Sequence, residues 1–377
     1  MPLDLLSDRK RAPVECEIAV RGVQLGDLYP YLTRVSVETS RDEAGAATLV
    51  FESRRDEQGK WSVQDAGLLK PWEPISIRAV FGSATEEVMR GFIREVQASY
   101  PENGAEATVT VTCQDESIAL DREHVRRDWG ADAPTTDRGI LEQIADTKYG
   151  LEVVGQSGVG IKGLVLQQDG TDIDFLRKRA EANGYELIFQ LGTVYFGPMR
   201  LEGKVQPTIL VYAGLDSNCR SFSVSADGHQ PTKMAVDLPS TDGAGTTRRI
   251  VEPNLPVLGR EPAGAGTGMR DFTWVLSQAG GADEDALVAR AQRKVNEYSM
   301  RVRATGELDG SLYGSVLRPG LPVGVDGVGD WLGGTYYVDH VSHDFSMDGY
   351  VQRIELIRNA YGDDLSGGIG SALAGVI

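Results

Sequence analysis

Long apolar runs are missing from this 377-residue chain. No segment approaches the ~20 apolar residues that a membrane-spanning helix requires. The final GGIGSALAGVI is apolar but too short to cross a bilayer. The opening MPLDLLSDRKRAPVECEIAV carries acids and bases where a secretory signal needs an unbroken apolar core. Cysteine is nearly absent as well: Cys16, Cys113 and Cys219 lie far apart with no CxxC spacing. An odd count fits free thiols in a reducing compartment, not a disulfide scaffold. Synthesis and folding in the cytoplasm is therefore expected. An excess of cations is missing too, because 38 Lys and Arg stand against 55 Asp and Glu, a net charge of −17. That excludes a surface that holds nucleic acid by counterion release and one drawn to anionic lipid. Solubility alone accounts for the acidity, and so does an acidic lumen past which a polyanion slides.

Catalytic signatures are missing in the same way. There is no GxSxG elbow, no HExxH, and no SxxK beside a base motif. The pair Asp115-Glu116 cannot be singled out as acid and base in so acidic a chain. His340 and His343, with Asp339 and Asp344 beside them, could suggest a metal site. Residues three apart on a strand face opposite sides, however, so the two imidazoles would diverge, and His124 and His229 are isolated. Gly264, Gly266 and Gly268 in PAGAGTG lack the GKS or GKT and the following helix start of a phosphate loop, since Met269 and Arg270 follow. They read as a flexible loop. No catalytic, cofactor-binding or metal-binding residue is assigned.

What is present is a succession of short strands. With 41% hydrophobic and 25% charged residues the chain is globular, and its length favours two or three domains. Over 14–120 the pattern is all β. Val35 and Val37 lead to a polar turn at 42–45, and Thr48 to Phe51 return. Ile75, Ile77 and Ala79 alternate, and Phe92 to Tyr100 pairs with Ala107 to Cys113 across the turn Glu102-Asn103-Gly104. Strands at this spacing suggest a barrel or a sandwich.

From about 130 the pattern becomes helix, glycine, strand, twice over. Ile140, Leu141, Ile144 and Ala145 mark one helix face, which Gly150 ends before LEVV. The second unit is GTDIDFLRKRAEANGYELIFQLGTVYFGP, residues 170–198. Thr171 is its N-cap, with Asp174 three residues on. Ile173, Leu176 and Ala180 share a face, and Asn183-Gly184 stops the helix. Tyr185, Leu187 and Phe189 alternate into a turn at Leu191-Gly192, and Val194 and Phe196 return. Residues 206–237 are β again, with Phe222 and Val224 alternating. The Gly, Pro, Ser and Thr density of 238–270 reads as an exposed loop. Asp283, Glu284 and Asp285 open a third helix, buried along Leu287, Ala291, Val295 and Tyr298 and running to about Met300. The remainder to 362 is β.

The helix and hairpin of 170–198 resemble the signature of the phage late control gene D family. These are baseplate hub proteins of contractile tails, related to the N-terminal part of VgrG spikes. Residues 318–359, RPGLPVGVDGVGDWLGGTYYVDHVSHDFSMDGYVQRIELIRN, resemble that family's closing segment. There Tyr336 and Val338 point inward, Asp348-Gly349 turns the chain, and Ile354 and Leu356 return. His343 matches the family's recurrent histidine and is read as structural, bonding backbone at a strand end. The order of elements extends the resemblance over about 14–362.

The resemblance implies a mixed β fold with an α/β insert: two tube-like β-barrel domains plus a small α/β subdomain, in a trimeric pseudo-six-fold ring. The expected organisation is an N-terminal extension at 1–13, a first tube-like barrel at 14–124 and the α/β subdomain at 125–205. A second barrel at 206–362 with its loop at 238–270, and a tail at 363–377, complete it. The implied role is a structural baseplate hub of a contractile phage tail or phage-like injection system, joining a six-fold inner tube to a three-fold spike. The implied partners are two further copies, the tail tube protein above, a separate spike protein below and, in some particles, baseplate wedge proteins. Neither a membrane nor a specific nucleic-acid sequence is expected to bind. The chain would be made in the bacterial host cytoplasm and built into a particle. A hydrolytic, cell-wall-degrading tail component is the alternative, and a cytosolic ligand-binding β protein is a third reading. The tail holds Ile369, Leu373, Val376 and Ile377 among four glycines, and is expected to be ordered only by a partner.

Overall fold

The computed structural model describes residues 13–102, 107–133, 135–155, 160–239, 246–265, 271–276 and 284–365. The chain is mostly β, and one curled, largely antiparallel sheet of 13 strands dominates it. Its N-terminal half contains β1 (Val14–Val20), β2 (Leu32–Ser40), β3 (Ala46–Ser53), β4 (Pro74–Phe81), β5 (Ala84–Ser99) and β6 (Ala107–Asp115). Burial alternates along β3 and β6, as a sheet with one face in a core demands. Ile18, Val35, Val37, Leu49, Phe51, Ile77, Ile93 and Val111 close the first core. The turn residues Asn103 and Gly104 lie outside the described residues.

A segment of short helices and strands follows. Asp137–Leu141 starts as an α-helix but continues as a π-helix over Glu142–Lys148, which departs from the regular helix expected there. Helix α1 (Asp172–Asn183) begins where Thr171 Oγ1 accepts the Asp174 N–H, and ends at Gly184 with φ +68°. The hairpin β7 (Glu186–Gln190) and β8 (Thr193–Gly197) turns at Leu191 and Gly192, both at positive φ. Leu187 and Phe189 pack on the core of this segment beneath α1. The opposite face of β7 is not open to water, because Glu186 and Ile188 are both buried.

The C-terminal half holds β9 (Gln206–Leu210) and β10 (Cys219–Ala226). Among the described residues of the range expected to be a loop, 238–270, some are paired: β11 (Lys233–Pro239) is flanked by β12 (Thr246–Val251) and, in parallel, by β13 (Thr273–Leu276). Glu261–Pro262 also pairs with Ala360–Tyr361. The sequence TTRRIV gave little sign of a strand, since only Val251 of it is buried. Its order comes from pairing with Met234, Val236 and Leu238 of β11. Helix α2 (Glu284–Ser299) covers this small sheet with Leu287, Ala291 and Val295. The glycine-rich 242–245 and Asp283 lie outside the described residues. Strands β14 (Val302–Asp309), β15 (Pro322–Asp326), β16 (Gly334–Ser346) and β17 (Gly349–Arg358) finish the large sheet.

The two halves share one plan. The first runs β2-β3-β6-β5-β4 across the sheet and the second β10-β14-β17-β16-β15. The hydrogen bonding corresponds residue for residue. Trp72 N–H donates to the Ile93 carbonyl and Ile93 N–H to Glu73; in the second unit Gly320 N–H donates to Val338 and Val338 N–H to Leu321. Even the irregularities coincide, at Ile93/Glu95 in β5 and at Val338/His340 in β16. Each unit has its own core, the second built on Val302, Leu308, Val323, Val325, Tyr336, Val338, Ile354 and Leu356. Phe345 and Tyr350 of the second unit, stacked 4.2 Å apart, are buried in the first core instead.

Gly91 shows how tightly β5 and β6 are apposed: a Cβ there would sit 2.0 Å from the Gln114 carbonyl oxygen. Gly91→Ala should cost about 1–3 kcal/mol by forcing the strands apart. Gly228→Ala, with nothing within 4 Å, should stay within about 0.5 kcal/mol of the parent. Urea unfolding midpoints of the two variants check this.

Candidate assembly interface

The two units meet edge to edge, where β2 pairs antiparallel with β16 from Val35↔Phe345 to Ser40↔His340. Val35, Val37, Val341 and Phe345 lose nearly all exposure at this seam. Burying each such side chain contributes roughly 1.5–3 kcal/mol. Side chains reinforce the ladder: Arg34 pairs with Asp344 at 2.8 Å, and Ser342 Oγ donates to Glu38 at 2.8 Å. Burial works against the Asp344 carboxylate, but Arg34 and Arg353 hold its pKa below the usual range.

At the end of the seam lies a buried guanidinium. The turn after β2 was expected to be a polar tip, yet the Arg41 side chain is only 11% exposed. Its N–H groups donate to Asp339 at 2.8 Å and Glu186 at 3.2 Å, and Asp42 lies 3.0 Å away. Its backbone N–H donates to the Asp339 carbonyl. Tyr337 Oη donates to the second Glu186 oxygen at 2.7 Å and accepts the Arg200 N–H. One side chain at the end of β2 thus joins the first unit, the α/β hairpin and the second unit. Burial pulls on Arg41 against its charge, but the three carboxylates more than compensate and keep it protonated. For Glu186 burial dominates and raises its pKa despite Arg41. These tendencies oppose each other within one pair, and the geometry, two short bonds from charged or polar donors, favours the ionised carboxylate.

The signal for Glu186 was present in the sequence. The alternation that put Leu187 and Phe189 on the core left Ile188 beside Glu186 on the other face, and an isoleucine there implies that this face is covered too.

The histidines do diverge. His340 reaches Glu38 at the surface, 3.1 Å away, while His343 is buried. The expected backbone bond of His343 at a strand end is corrected: His343 lies within β16, and its Nδ1 lies 2.8 Å from Tyr350 Oη, the ring stacking on Tyr350 of the neighbouring strand. Burial first, then the charge of Arg318, lowers its pKa to about 3. Asp115 accepts the Gly45 N–H and caps the turn at Ser117, and Glu116 accepts the Gly192 N–H at 2.6 Å, tying the hairpin to the first unit. Gly264 lies against the Arg301 guanidinium, while Gly266 and Gly268 fall outside the described residues. All three cysteines are free, with thiols pushed up by burial, Cys16 and Cys113 to about 12 and Cys219 to about 11. Among the described residues no group of three or more His, Cys, Asp or Glu is placed to hold a metal.

Two open grooves, of about 950 and 590 Å³, flank Arg41 between the hairpin and the helices α1 and α2. Both share Arg41, Asp42, Tyr185, Glu186, Arg293 and Glu297. Their carboxylates at the centre are committed to Arg41, and Glu297 is committed to Arg293 at 3.0 Å. The arrangement holds three structural blocks together.

Arg41→Met should destabilise by about 3–5 kcal/mol by stranding Glu186, and Arg41→Met/Glu186→Leu should recover much of the loss, as a thermodynamic cycle on unfolding midpoints would show. His343 gives a pH effect. The folded state refuses a proton until about pH 3, whereas the unfolded chain takes it near 6.5. Its contribution is therefore complete above 6.5 and is lost as pH falls through that window. His343→Asn should be less stable at pH 7 and should lose less stability on going to pH 4.5 than the parent.

Comparison with known proteins follows this architecture. A 43 kDa tail protein of prophage MuSo2 from Shewanella oneidensis has a TM-score of 0.68 at 15% identity, over 92% of this chain and 98% of that one. A tail protein from Neisseria meningitidis MC58 gives 0.64 at 13% identity, over 92% and 97%. A component of the E. coli type VI secretion system, described as structurally similar to T4 bacteriophage tail proteins, gives 0.57 at 13% identity, over 92% and 78%. At these identities the likeness is one of fold, and the fold is that of phage-tail and type VI secretion tail proteins. No curated protein matches the sequence. A family model described as the Alg8 N-terminal domain matches residues 10–217, more than half of the chain, and the chain belongs to that family.

Proposed function

We propose that the chain is a structural baseplate hub of a contractile phage tail or phage-like injection system, joining a six-fold inner tube to a three-fold spike. The observation that carries this is the duplication: two five-stranded units of the same order, fixed edge to edge by one seam and one buried arginine. A trimer of such chains presents six similar units in a ring, which suits a tube of six-fold symmetry above and a spike of three-fold symmetry below. The likeness to the late control gene D proteins gives the same role. The acidic charge suits a lumen that passes a polyanion without holding it. The barrel boundaries at 14–124 and 206–362, with the α/β subdomain between them, fit this reading. Synthesis in the host cytoplasm belongs to it as well.

The role is mechanical. Asp115, Glu116, Glu186 and Asp344 each spend their oxygens on structural bonds. Residues 366–377 lie outside the described residues; within this proposal the 363–377 tail meets the spike or a neighbouring copy. Asp364 starts it by accepting the Thr335 N–H at 2.8 Å.

Light scattering of the purified protein should give the mass of a trimer, and with a candidate spike protein added the mass of a trimer carrying the spike. Deleting 366–377 should keep that trimer and weaken spike capture. A monomer at micromolar concentration under both conditions, or clearing of a cell-wall zymogram that a single Asp or Glu substitution abolishes, would overturn the proposal.

A further inference from the structure

The internal seam has an unfilled counterpart on each chain. The matching hydrogen bonds align Ile93 of β5 with Val338 of β16, so Val96, Ala98 and Tyr100 correspond to Val341, His343 and Phe345. In the second unit these positions are covered by β2: Val341 is 0%, His343 1% and Phe345 6% exposed. In the first unit no strand covers the same positions: Val96 is half-buried against the first core, Ala98 is exposed, and Tyr100, although it packs on Trp61, is 56% exposed. Among the described residues, the edge of β5 from Arg94 to Ser99 that faces away from β6 has no backbone partner.

The other half of the joint is bare as well. Through β3 and β14, the registers align Val35, Ser36 and Val37 of β2 with Phe222, Ser223 and Val224 of β10. Strand β10 is the end of the large sheet, pairs among the described residues only with β14, and reads CRSFSVSA. It has no proline and a single charge near its start, so it lacks the usual protections of an edge strand. Phe222 and Val224 are half-buried where Val35 and Val37 are fully buried. Each chain thus carries one filled joint and the two complementary halves of a second one.

We propose that β10 of one copy pairs antiparallel with the distal half of β5 of the next copy, repeating between chains the β2–β16 joint found within the chain. The register follows from the seam. Phe345↔Val35, Asp344↔Ser36, His343↔Val37, Ser342↔Glu38 and Val341↔Thr39 become Tyr100↔Phe222, Ser99↔Ser223, Ala98↔Val224, Gln97↔Ser225 and Val96↔Ala226. The occupant of each bare edge is a second copy of this chain, because the complementary edge is the one already seen to fit it. Such a contact is head to tail, so it closes a ring when the rotation per chain divides a full turn without translation along the axis, and otherwise yields an open helix. This inference specifies the strands of the self-association proposed above, and rests on that reading only for the number of copies.

The test places Gln97→Cys and Ser225→Cys in one chain carrying Cys219→Ser. The remaining native thiols, Cys16 and Cys113, are held protonated by burial and give little background. Mild oxidation should convert most of the protein to chain-linked species that reducing agent reverses. The misregistered pair Gln97→Cys and Ser221→Cys should crosslink at least tenfold less. Both positions are exposed, and circular dichroism of the reduced variants checks that they fold. Light scattering on the same samples counts copies independently. A trimer without in-register crosslinking overturns this joint and leaves the hub proposal standing. In-register crosslinking in an assembly that is not a trimer supports the joint and overturns the three-copy reading. A monomer that does not crosslink overturns both, and equal crosslinking of the two pairs overturns the register.

Discussion

The pairing of β2 with β16, ended by the buried Arg41, is the constraint on which the rest of the molecule depends. A strand edge exposes a row of unpaired N–H and C=O groups, which is costly to bury and hazardous to leave open. Joining two such edges fixes the register of both units at once, because a slip of one residue would turn Val35 and Val37 away from the core. Arg41 adds direction. A planar guanidinium with several fixed donors can satisfy Asp339, Glu186 and Asp42 together, which an ammonium at the same place could not do with the same geometry. The hairpin of the α/β subdomain is thereby locked to the seam and not merely tethered by chain.

The duplication explains where the inserted parts sit. In the first unit β2 and β3 are joined by a five-residue turn at 41–45. In the second unit the corresponding connection, from β10 to β14, carries the three-stranded sheet and α2. The α/β subdomain follows β6, after the first unit is complete. Both additions enter at strand ends, where they need not disturb the ladder. They then meet each other across the grooves beside Arg41. A rigid double unit with elaborations confined to its rim suits a part that transmits position and symmetry through a particle.

Charge is handled consistently with such a role. Several buried acids are paired with cations: Asp137 with Arg179, Asp172 with Lys148, Asp344 with Arg34, whereas Asp115 is held by the Gly45 N–H and by Ser117. Arg358, fully buried, is satisfied by the carbonyls of Leu258, Leu332, Gly333 and Gly362 and holds three loops together.

What the sequence determined by itself was local. The capped helix at 172–183 with its glycine stop, the Leu191-Gly192 turn, the helix face of Leu287, Ala291 and Val295, and the divergence of His340 from His343 all follow from short-range rules. The order of such elements was enough to bring out the tail-protein resemblance. Tertiary structure alone decided the rest, because it depends on contacts between residues some 300 positions apart, such as Arg34 with Asp344. No local pattern marked Arg41 as buried, or showed that TTRRIV would become a strand, since each gains its place only from a partner. The duplicated plan could not be read from the residues themselves; two similar domains were expected only from the family resemblance. Equivalent positions such as Val35 and Phe222, or Leu49 and Gly306, share a place in the ladder and little side-chain identity, and a hydrogen-bond ladder is built from backbone groups that every non-proline residue carries.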